Sequence, residues 1–181
     1  MLALLCGTAM PGAPAAAQGL EGRKAITLLT AEGTTLRIGT ATFERSAGAA
    51  YRFSLSFDDK LFTDHFLSMK EFKCIGGPTE LMCHVPYPYP SGGTVTDTDL
   101  AWLEHALLFM FKRPSEFGAK LWNGVYFQLT RTPRGLAGVP QAVDLNHISA
   151  PPADLTVPPF KRSLRDDYPP HARWIRSLTI E

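Results

Sequence analysis

Tyr51-Arg52-Phe53-Ser54-Leu55-Ser56-Phe57-Asp58 sets a large apolar side chain at every second position and a polar one between. A period of two belongs to a strand with one buried and one wet face, as in an antiparallel sheet. Upstream, Leu36-Arg37-Ile38-Gly39-Thr40-Ala41-Thr42-Phe43-Glu44 has the β-branched content that suits a pleated surface, and Ser46-Ala47-Gly48-Ala49 supplies a hairpin loop, so these two strands are expected to pair. Ala25-Ile26-Thr27-Leu28-Leu29 is the expected first strand, with Glu32-Gly33 as its turn. Phe66 to Cys74 and Leu81 to Val85 are read as two arms of one hairpin, although alternation fails at Ser68-Met69-Lys70-Glu71.

Further along, the period changes. Leu100, Leu103, Leu107, Met110 and Phe111 recur at helical steps and predict one helix between Thr96 and Lys112, with Trp102 and Phe109 off the main stripe. Thr96-Asp97-Thr98-Asp99 can accept hydrogen bonds from the first-turn amides, Lys112 and Arg113 suit the other end, and Pro114 stops the run. Asn123-Gly124 then leads into the alternating Val125–Thr130 strand, and Thr132-Pro133-Arg134-Gly135 forms a turn. The partner strand, Leu136 through Leu145, carries Gly138 and Pro140 and is expected at a sheet edge. From 150 to 170, the pairs Pro151-Pro152, Pro158-Pro159 and Pro169-Pro170 imply an extended strap over the surface, and residues 171–181 a last strand returning to the sheet. Roughly seven short strands with one helix predict a mainly β or α+β domain, either a small antiparallel sandwich or a partly open barrel, with the helix on one face or end.

Composition agrees with a single folded domain. The chain has 181 residues, 45% of them hydrophobic and 19% charged, which excludes the signature of disorder. Eighteen Lys and Arg against seventeen Asp and Glu leave no surplus for neutralising phosphates, so no nucleic acid is expected as a partner. Residues 1–17 read as a cleaved signal peptide, an apolar run followed by Ala15-Ala16-Ala17, although no Lys or Arg precedes the run. Residues 18–181 are then the domain, and no apolar run is long enough for a membrane span. Export to the periplasm or beyond would remove Cys6 and leave Cys74 and Cys83 to form a disulfide. A metal site at Cys74, Cys83 and His84 lacks the usual ligand spacing, so neither metal nor cofactor is expected.

Candidate sites are few. Asp64-His65, Cys83-His84, Glu104-His105, Asp144-x-x-His147 and His171 carry no catalytic signature, and neighbours on a strand point to opposite faces. Asp58-Asp59 and Asp166-Asp167 lack the spacing of a calcium loop, and Gly76-Gly77 and Gly92-Gly93 are not phosphate loops. The unusual stretch is His84-Val85-Pro86-Tyr87-Pro88-Tyr89-Pro90, where alternating prolines hold an extended backbone and display aromatic rings at low entropic cost. The expected function is therefore a secreted or periplasmic, non-enzymatic binding or accessory domain that recognises a partner protein or small ligand through Tyr87 and Tyr89. The alternative is a small extracytoplasmic hydrolase using Asp64, His65 or His84 near the disulfide hairpin.

Overall fold

The computed structural model describes residues 19–67 and 70–181, so the expected leader, including Cys6, lies outside the described residues. Strand β3 (Tyr51–Phe57) forms where the alternation predicts it, and β1 (Gly22–Thr30) and β2 (Thr35–Arg45) form over the two stretches expected before it. They pair antiparallel in sequence order, with Phe43 opposite Phe53 and Ala41 opposite Leu55. On β3 the polar residues Arg52, Ser54 and Ser56 are exposed, whereas Tyr51 is buried and Phe53, Leu55 and Phe57 are half-buried.

The expected arm from Phe66 to Cys74 is instead part of two strands. β4 (Thr63–Leu67) and β5 (Lys70–Gly76) pair antiparallel, and the chain has reversed between Leu67 and Lys70, which face each other. β5 pairs next with β6 (Leu81–His84), placing Cys74 opposite Cys83 in a disulfide whose sulfurs are fully buried. Replacing both cysteines by alanine is expected to lower the unfolding free energy by about 2.7 kcal/mol, the chain-entropy value for a loop of about 10 residues. Urea melts of the two proteins check this, and equal midpoints would refute it.

The expected helix is cut short. After β7 (Thr94–Val95), α1 covers only Ala101–Ala106, and Phe109–Lys112 forms β8. The start signals work as expected, since Thr96 Oγ1 accepts from the Asp99 amide at 3.0 Å and Asp99 Oδ1 from the Ala101 amide at 3.1 Å. Leu100, Leu103 and Leu107 enter one core, but Met110 belongs to a second core on the other side of the sheet. An unbroken apolar run from Leu107 to Phe111 suits a strand covered on both faces, and that burial overrides the helical spacing.

β9 (Gly124–Arg131), β10 (Leu136–Val143), the two-residue β11 (Asp166–Asp167) and β12 (Ile175–Ile180) complete the sheet. β10 is internal, not an edge: β9 flanks its whole length, β12 pairs with Leu136–Gly138, and β11 with Gln141 and Ala142. Val139 and Pro140 fall between β12 and β11, where a missing amide removes no rung on that side.

The strand order is β4-β5-β6-β8-β9-β10-β12-β1-β2-β3-β7, with β11 alongside β10, so twelve strands form one unclosed sheet and not a two-sheet sandwich. The sheet curls strongly. Phe57 on β3 lies 4.5 Å from the His84 ring on β6 and 6.3 Å from Phe109 on β8, strands far away in the order. The curl encloses a core of Ile26, Leu28, Phe43, Phe109, Phe127 and Leu178, closed at one end by Leu103 of α1. A second core of Met110, Tyr126, Val143 and the disulfide lies on the outer face, under Leu145, Ile148 and Phe160 of the segment leaving β10.

Candidate functional site

β3 curls toward β6 without pairing with it, and the space left between them is a cleft of about 370 Å³. One wall is the half-buried face of β3: Phe53, Leu55 and Phe57. The other comes from His84, Pro86 and Tyr87 after β6 and from Trp102, His105 and Ala106 of α1. Helical spacing puts Trp102 and His105 on the cleft side of α1 while Leu103 and Leu107 face the core. Gly92 is packed against the indole, where an added Cβ would meet Trp102 Nε1 at 2.6 Å, so only glycine lets the ring sit there.

The proline–tyrosine run behaves as an alternating strap. Pro86, Pro88 and Pro90 are exposed, and Val85, Tyr87 and Tyr89 turn inward. Tyr87 packs near edge-on against Tyr89 at 5.7 Å and His105 at 5.8 Å, and tilted against Trp102 at 5.9 Å. Its hydroxyl oxygen is buried and has no hydrogen-bond partner among the described residues. Burial also raises the Tyr87 phenol above its ordinary pKa, so it stays protonated and a donor. Tyr89 has a different role: its hydroxyl donates to the Ile148 carbonyl at 3.1 Å and its ring packs on the outer core.

Both imidazoles of the cleft are held neutral. His84 Nε2–H donates to the Ala106 carbonyl at 3.0 Å, leaving Nδ1 as the acceptor, and burial lowers its pKa against the opposing pull of that bond. His105 is completely buried, and burial pushes it down to about 4. Among the described residues, no Asp, Glu, Lys or Arg lines the cleft. A larger cleft of about 640 Å³ on another face contrasts with it, being lined by Glu32, Glu80, Arg113, Glu116, Lys120 and Arg173. Those charges are spent largely on one another, through Lys120–Glu116 at 2.6 Å and Arg173–Glu80 at 3.1 Å.

Of the residues singled out in the sequence, His84 and Tyr87 line the cleft, and Tyr89 supports it from behind. Asp64 and His65 do not join them. Asp64 pairs with Lys73 at 3.4 Å, and His65 Nε2 shares a hydrogen bond with Thr63 Oγ1 at 3.0 Å, both on β4. Among the described residues, no hydrogen bond or ion pair connects Asp64, His65 and His84. The paired acids serve as caps and rungs: Asp58 accepts from the Lys60 amide and Asp167 from Gln141. No cluster of three or more His, Cys, Asp or Glu residues suited to a metal ion occurs among the described residues, nor any helix long and apolar enough to cross a membrane. Trp102 and the β3 wall are site residues that the sequence reading assigned to structure alone, and His105 entered it only among the histidines that carry no catalytic signature. The signal was the three-residue spacing of Trp102 and His105 on α1. Comparison with family models, with characterised proteins and with solved structures finds no match.

Proposed function

We propose that this protein is a non-enzymatic binding domain of an extracytoplasmic space, secreted or periplasmic, that takes a small neutral guest with an aromatic or apolar body. The observation that carries this reading is an aromatic cleft that no Asp, Glu, Lys or Arg lines among the described residues. Its volume falls in the range of small-molecule sites, and few polar groups among apolar walls is how such sites fix orientation. Ser54, Ser91 and His84 bring polar groups to its lining. An ionised guest would meet no counter-charge and is disfavoured. The buried disulfide and the leader-like N-terminal sequence support an oxidising compartment.

Fluorescence titration with N-phenyl-1-naphthylamine, a neutral aromatic probe, tests the reading. Saturable binding is expected for the unaltered chain, weakened about tenfold by either Tyr87→Ala or Trp102→Ala, since an aromatic contact contributes about 0.5–1.5 kcal/mol beyond its area. Tyr87→Phe should leave stability unchanged or slightly raised, because it removes only the unpartnered hydroxyl. Tyr89 is left intact, because its bond to Ile148 belongs to the body of the fold. Absence of saturable binding, or equal affinity in all variants, would refute the proposal.

A further inference from the structure

His105 stands between the cleft and the proline-rich strap and contacts both. On one side its ring meets Tyr87 at 5.8 Å and Trp102 at 5.9 Å. On the other it stacks on Phe160 at 5.5 Å with an interplanar angle of 24°. The two nitrogens are fixed by opposite partners. Nδ1–H donates to the Ala101 carbonyl at 2.7 Å, so Nε2 carries the lone pair and accepts the Phe160 amide at 3.1 Å. Within residues 150–161 Phe160 is the one buried residue, with Pro152, Pro158 and Pro159 half-buried and the rest exposed, so Phe160 is the main anchor of this stretch.

We propose that His105 is an acid-operated latch: protonation of Nε2 removes the acceptor that holds the Phe160 amide, frees the 150–161 strap and unseats His105, a residue of the cleft lining. The effect on guest affinity rests on the binding reading above; release of the strap does not.

The direction follows from burial. A proton on Nε2 would set an N–H against the Phe160 N–H and place a charge where no water reaches. The groups around the ring do not rescue that charge. Arg165, which follows the strap and whose guanidinium lies 4.7 Å over the Tyr126 ring, opposes it. Glu104, next to it on α1, is engaged with Tyr126 and the Leu129 amide. Tyr87, Tyr126 and His84 are neutral neighbours, and His147 faces the far side of Phe160 at 6.5 Å. The latched form thus takes up its proton near 4, whereas a freed and hydrated ring titrates near the ordinary 6.5. As pH falls between those values the free form gains about tenfold per unit over the latched one.

Hydrogen–deuterium exchange of the full chain near pH 7 and near pH 4, corrected for intrinsic rates, reads the latch directly, with N-phenyl-1-naphthylamine titrations run in parallel. Peptides covering 150–161 should lose protection in acid while those covering β9 and β12 keep theirs, and probe affinity should fall with them. His105→Gln cannot charge, and its side-chain carbonyl can still accept the Phe160 amide; it should keep the strap protected in acid. Phe160→Ala should expose the strap at both pH values. Unchanged protection in acid, loss together with the sheet, or equal loss in His105→Gln would overturn the latch. Strap release without a change in probe affinity would overturn its link to the cleft. No probe binding near pH 7 would overturn the cleft reading instead, with the exchange result still deciding the latch.

Discussion

Glu104→Ala is expected to destabilise the fold by about 3–5 kcal/mol, because it strands two buried donors at once. β8 pairs with β9 only at Val125 and Gly124, so the rest of that side of β9 has no strand beside it. α1 fills the vacancy with a side chain: Glu104 accepts from the Leu129 amide at 2.6 Å and from the Tyr126 hydroxyl. A carboxylate therefore does at Leu129 what a strand would otherwise do. Burial raises the Glu104 pKa, while the Tyr126 and Leu129 bonds and Arg165 pull it back. A carboxyl whose folded pKa is raised contributes most below its ordinary 4.5 and loses that contribution as pH rises through the folded value. The penalty for Glu104→Ala should accordingly be larger near pH 4 than near pH 7. Glu104→Gln, which keeps an acceptor for Leu129, should cost less than half as much. Urea denaturation at both pH values measures each difference; a loss under about 1 kcal/mol for the alanine variant would mean that water satisfies the two donors.

Gly135→Ala is expected to cost at least about 3 kcal/mol or to prevent folding, the upper end of what overpacking does. The turn at 132–135 is closed by the Thr132 amide on the Gly135 carbonyl at 2.9 Å and by the Gly135 amide on Thr132 Oγ1 at 3.0 Å. A Cβ on Gly135 would lie 1.9 Å from the Ile180 carbonyl oxygen, so either the turn or the end of β12 must move. β12 cannot move cheaply. It pairs with β10 on one side and β1 on the other and joins the two halves of the sheet. Arg134→Ala, at an exposed position in the same turn, removes only a surface ion pair to Glu181 and should change stability by less than about 1 kcal/mol. Thermal melts of the two variants compare the effects, and near-equal midpoints would show that β12 tolerates the shift.

Much of this architecture is legible before any coordinates. Tyr51, Phe53, Leu55 and Phe57 announce β3 because a strand's faces are set by local geometry. The Pro-Tyr run likewise reveals that Tyr87 and Tyr89 share an orientation, but not that one faces a cleft and the other the Ile148 carbonyl. That difference depends on what lies opposite each ring. Leu107 to Phe111 misleads for a similar reason. Helical spacing and a doubly buried strand are the same residues seen with different neighbours, and only the second core under Phe160 separates them.

By itself, then, the order of residues determined the alternating strands, the turns between them, the start of α1 and the pairing partner available to Cys74, since each depends on a few neighbours in the chain. The tertiary structure alone decided that the sheet curls without closing, that Trp102 and His105 face β3 across an uncharged cleft, and that His105 holds Phe160. Those arrangements join residues as far as 55 positions apart, and contacts at such separations are chosen by burial competing over the whole chain, a quantity that no local pattern encodes.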